Sequence, residues 1–191
     1  TITADDIDAF RADPLHPARA TGWVECDLLG RRLPVDRGWF HLFVAAPGLV
    51  GRRMLYRLWM TDAAGAPVTL VGFKEIRDDA GFDLWSDTTT LTVHLLAGHI
   101  PPPAGADPAA AVRAAAAADV APDAVIAAGT MVIHPLDFAK QLTTFRAGGP
   151  GLTPQRGAAA IAAFGVLFLG ELWQVYLAGD RPRRDRQRVP S

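Results

Sequence analysis

From about residue 20 the apolar positions recur at every second place, the spacing of strands that lay one face on a core. "ATGWVECDLLG" and "RGWFHLFVA" set tryptophan, valine and phenylalanine near turn residues. "MLYRLWMTD" meets "PVTLVGFKEIRD" across the glycine-containing loop "AAGAP", which predicts an antiparallel hairpin. "GFDLWSDTTTLTVHLL" predicts a further strand from about Leu84 to Leu96. Its alternation puts Thr88, Thr90, Thr92 and His94 on one face and Thr89, Leu91, Val93 and Leu95 on the other. The second face is the more apolar, so it is expected to meet the core. "VIAAGTMVI" at 125–133 returns to strand character.

Elsewhere the period lengthens. Thr3 and Asp6 make a start resembling a capping box, and Ile7 and Phe10 share a face, which predicts a short amphipathic helix over residues 4–11. Between 101 and 124 the chain becomes an Ala/Pro-rich excursion. Asp107 with Pro108 opens a helix there over 108–119, expected to pack weakly for want of large apolar side chains. Pro135 and Asp137 open another, with Phe138, Leu142 and Phe145 on one side, stopped by Gly148 and Gly149. The last helix, from Thr153 to about Leu177, is apolar all round between Gly157 and Gly170. That stretch is shorter than the roughly 20 residues of a membrane span, and Glu171 and Gln174 interrupt it. A buried or oligomer-forming helix is therefore expected, with Phe164, Phe168, Glu171 and Trp173 as its contact residues.

Composition narrows the classes. Half of the 191 residues are hydrophobic, a fifth are charged and the formal charge is -1, which describes a globular protein and implies no nucleic-acid partner. The length suits one domain over 1–180, followed by a basic disordered tail at 181–191 that opens "RPRRDRQR". Cys26 is the single cysteine, so neither an intrachain disulfide nor a cysteine-based zinc site can form. "TITADDIDAF" lacks the basic and apolar regions of a signal peptide, and a cytoplasmic setting is expected.

The known catalytic and phosphate-binding motifs are missing. Serine occurs only at Ser86 and Ser191, and Ser86 lies in "WSD", outside any G-x-S-x-G elbow. Neither a dinucleotide glycine fingerprint nor a P-loop is present. No two histidines stand at helical ligand spacing, so no metal and no cofactor is expected. Lys74 and Glu75 are strand neighbours that point to opposite faces, which excludes a simple acid–base pair. Asp83 and Asp87 bracket Trp85 and offer a polar ligand contact, although aspartate is equally a turn former at strand ends. The ligand-binding candidates are Trp85, Asp87, His41, His94 and Trp59.

"GFKEIRDDAGFDLWSDTTTLTVHLL", "HPLDFAKQLTTF" and "FGVLFLGELWQVY" give the chain a further character. From about Trp39 to Tyr176 it resembles the β-rich accessory region found beside cholesterol-oxidase-like flavin oxidoreductases of the glucose-methanol-choline class, in large bacterial proteins that also carry an α/β-hydrolase part. The resemblance implies sterol or other apolar-lipid metabolism, with a flavin oxidoreductase or α/β-hydrolase as partner. It does not imply flavin catalysis here, because the flavin fingerprint is missing from this sequence.

The expectation is an α+β domain: a curved antiparallel sheet closing as a barrel or near-barrel, a short N-terminal helix and two C-terminal helices. The leading function is a non-catalytic accessory or ligand-binding domain for apolar, sterol-like molecules. One rival is a small enzyme using His41 or His94 with a strand aspartate inside the sheet. The other is a structural subunit that forms homo-oligomers through residues 157–177.

Overall fold

The computed structural model describes residues 1–48, 51–76, 90–103, 105, 107–132, 137, 140 and 143–177, with 31 and 171–177 as backbone only. Seven antiparallel strands form the main sheet: β1 (Ile2–Thr3), β2 (Pro17–Ala20), β5 (Arg37–Val44), β6 (Arg52–Thr61), β7 (Pro67–Ile76), β8 (Thr90–Ala97) and β9 (Val125–Val132), paired in that order. A separate hairpin joins β3 (Trp23–Cys26) to β4 (Arg31–Pro34). Among the described residues the helices are α1 (Ile7–Ala12), α2 (Pro108–Ala115) and α3 (Pro154–Leu177).

The long hairpin β6–β7 pairs over Arg52↔Ile76 to Thr61↔Pro67, as its alternation predicts. Asp62 sets its loop: Oδ1 accepts from the amides of Ala64 (2.9 Å) and Ala66 (2.8 Å), and Gly65 takes the left-handed conformation, φ 85°. The α1 cap is Asp6, whose Oδ1 accepts from Asp8 N and Ala9 N, while Thr3 belongs to β1. An aspartate next to the first turn competes better for these amides than a threonine three residues upstream.

Two apolar clusters cover one face of the sheet. Phe40, Leu42, Phe43 and Ile76 meet Phe10 of α1 and Phe164, Leu167 and Phe168 of α3. Farther along, Met60, Val68, Leu70 and Leu95 meet Leu29 and Leu33 around the β3–β4 hairpin. A β-bulge between His41 and Val44 puts Phe43 at φ 52°, so that Phe43 joins the first cluster while Val44 reaches the opposite face. On that opposite face Val44 and Leu55 pack against Leu15 and against Val112 and Ala115 of α2.

The antiparallel sheet with flanking helices matches the sequence expectation. Closure as a barrel or near-barrel is not seen: among the described residues no pairing joins β1 to β9. Helices and the small hairpin cover apolar residues on both faces of the sheet. The helix expected between Pro135 and Gly148, and the strand residues 84–89, lie largely or wholly outside the described residues. α2 is also more firmly seated than expected, since Val112 (9 % exposed) and Ala115 (4 %) are buried.

Candidate functional site

The face beneath α2 carries the chemistry. Cross-strand register aligns Trp39, Arg57, Val71 and His94 in one row, with Arg37, Trp59, Thr69 and Leu96 below it and His41, Leu55, Phe73 and Thr92 above. Arg57 and Thr69 are buried polar residues, 7 % and 0 % exposed. Their hydrogen bonds fasten the segment leaving β8 across the sheet. Thr69 Oγ1 donates to Gly98 O (2.7 Å) and accepts from Ile100 N (2.9 Å). Trp59 Nε1 donates to Ile100 O (2.9 Å), and His99 Nε2 donates to Met60 O (2.9 Å).

Arg57 completes this strap. Its Nη1 donates to Ile100 O (3.0 Å) and Pro101 O (3.2 Å), and Nη2 donates to Ala114 O (3.3 Å). The Ala114 carbonyl lies in the last turn of α2, where helix carbonyls carry partial negative charge. Burial holds the Arg57 pKa below the usual arginine value. Among the described residues no carboxylate pairs with it. A guanidinium has five N–H donors, so Nε–H and one Nη2–H remain without a protein partner there.

Beside Arg57 a shallow cleft opens between the sheet and α2, lined by Leu15, Trp39, His41, Leu55, Pro102 and Ala111 among others. Its free volume is about 50 Å³, room for a few waters. Trp39, 38 % exposed, stands edge-on to Trp59 with ring centroids 5.7 Å apart. Arg37 lies over the Trp59 ring, 4.2 Å from its centroid. His41 Nδ1 is buried and makes no hydrogen bond of good geometry, and burial lowers the pKa of the ring against the opposing pull of the Leu15 backbone and the Asp13 carboxylate.

The sequence-predicted residues are only partly gathered here. His41 lines the cleft and Trp59 is core, 1 % exposed, directly beside it. His94 shares the face, but three strand spacings, about 14 Å, separate its strand from that of His41. The His94 Nδ1 is likewise buried and unpartnered. Trp85 and Asp87 lie outside the described residues. Phe164 and Phe168 turn inward, with Phe168 5.3 Å from Phe43 and Phe164 6.3 Å from Phe10 between ring centroids. The exposed apolar side of α3 is instead at Val166 and Leu169. Glu171 and Trp173 continue the α3 backbone.

Sequence reading passed over Arg57 and Thr69, although a signal exists. Arg57 alternates in phase with Leu55 and Trp59, so a cation stands where the pattern calls for an apolar residue. Among the described residues, no group of three or more His, Cys, Asp or Glu side chains could hold a metal, and no helix is long and apolar enough to cross a membrane. No protein-family model, curated protein or solved structure matches the chain.

Proposed function

We propose that the chain is a non-catalytic accessory module that docks on a lipid-modifying flavin oxidoreductase of the glucose-methanol-choline class through the outward side of α3. The observation that carries this reading is the two-sided apolar character of that helix. Phe164, Leu167 and Phe168 pack into the domain, while Val166 and Leu169 on the other side are 69 % and 67 % exposed. Exposed aliphatic side chains opposite a seated helix face are what a partner surface would bury. The 50 Å³ cleft favours docking over enclosure of a sterol, because pockets that surround ligands of that size hold about 300–1,000 Å³.

The test mixes the purified chain with a cholesterol-oxidase-like flavoprotein of this class and measures mass by size exclusion with light scattering. A complex is expected for the native chain, with at least about tenfold weaker binding in the double variant Val166→Asp, Leu169→Asp. The melting temperature of that variant should stay close to the parent value, since both positions face solvent. A native chain that stays alone would overturn the reading. Self-association lost in the double variant would transfer it to the structural oligomer, and turnover of an apolar substrate by the chain alone would transfer it to the small enzyme.

A further inference from the structure

We infer that the cleft beside Arg57 binds a small carboxylate with a short aliphatic tail, the carboxylate facing Arg57 and the tail lying against Leu15, Leu55 and Pro102. The guanidinium is a buried cation whose described hydrogen bonds all go to neutral carbonyls, with the Trp59 ring 6.0 Å away as its other contact, and a charge out of water seeks a counter-charge more strongly than these dipoles supply. Its spare N–H donors suit an oxygen acceptor, and charge-assisted bonds of this kind are about twice as strong as neutral ones. His41 lines the same cleft and contributes a second buried polar atom without a hydrogen bond of good geometry.

The walls set the remainder of the ligand. Leu15, Leu55, Pro102 and Ala111 offer no polar side chain, and Trp39 adds the face or edge of an indole at the partly exposed side. Room for a few waters corresponds to roughly four to six heavy atoms, the size of acetate to butyrate. A sulfate-like anion would fill the polar end while leaving the apolar wall wet, so a monocarboxylate with an alkyl end is the better match. This site is independent of α3 and of the docking reading.

The test titrates sodium propionate into the uniformly ¹⁵N-labelled chain at constant ionic strength, with sodium chloride as the control, and follows amide and indole resonances. Saturable shifts are expected at the Trp39 indole and at the amides of His99, Ile100 and residues 111–115, with no such shifts from chloride. Ala111→Leu, which narrows the cleft without touching a polar group, should weaken propionate at least about tenfold. His41→Phe should weaken it in the same direction, and it supplies the second test if Ala111→Leu disturbs folding. Propionate shifts that do not saturate, that chloride reproduces, or that survive both substitutions unchanged would overturn the proposal.

Discussion

Lys74 stands on the face of β7 that also presents Leu70 and Ile76, opposite Met54 on β6, and is 5 % exposed. Among the described residues it has no hydrogen bond or ion pair, and desolvation pushes its pKa from 10.5 down to about 8. Glu75, its neighbour, points to the other face and pairs with Arg53. Between pH 8 and pH 10 the unfolded chain therefore holds more protons than the folded one at this site, and stability rises with pH across that window. At lower pH the whole penalty of the buried ammonium is present. Lys74→Met should stabilise the protein at pH 7 by on the order of 2 kcal/mol, with the gain shrinking towards pH 10. Urea midpoints of the two proteins at pH 7 and pH 10 check this, and a pH-independent difference would rule it out. Both buried cations were legible as breaks in the alternation, Lys74 in phase with Leu70 and Ile76 and Arg57 in phase with Leu55 and Trp59. Their surroundings were not. The carbonyls that receive Arg57 are 43, 44 and 57 residues away along the chain, and no local pattern encodes such a distance.

Helices show the same division between what a pattern states and what tertiary packing decides. The length of α3 and its apolar content follow from the residues, but an all-apolar helix does not announce which side is its core side. Phe164 and Phe168 read equally well as partner contacts, and only the positions of Phe10 and Phe43 turn them inward. Replacing Phe168 by alanine should therefore cost about 2–4 kcal/mol, because its ring fills space against Phe43. Leu169→Ala, one residue on, should change stability by no more than about 0.5 kcal/mol. Chemical denaturation of the two variants separates these cases, and equal costs would mean that α3 is seated differently. In α2 small residues proved an advantage. A short alanine-rich helix lies close enough to the sheet for Ala115 and Val112 to be buried, and its last turn places the Ala114 carbonyl on Arg57.

At the scale of the molecule the question is how one sheet hides two faces. An antiparallel sheet of this apolar content has to close or be covered, and barrel closure was the simpler expectation from strands alone. Among the described residues, segments between strands supply the cover: α1, α3 and the β3–β4 hairpin on one side, and the strap at 98–103 with α2 on the other. The consequence is a gradient of stability across the sheet. β6 and β7 are ten residues each, paired on both sides and lined by buried residues, whereas β1 has two residues and β9 is mostly exposed along its length. Amide hydrogen exchange should be slowest in β6 and β7, at rates set by global unfolding. In β9 it should be at least about a hundredfold faster, because an edge strand can open alone. A closed barrel has no such edge. Protection of β1 and β9 equal to that of β6 would therefore show closure by a pairing that the strand order lacks. Docking through α3 would leave the gradient in place, since the buried side of α3 packs on the cluster around Phe40 and Ile76. A partner that instead slowed exchange along Ile126, Met131 and Val132 would be adding a strand to the open edge.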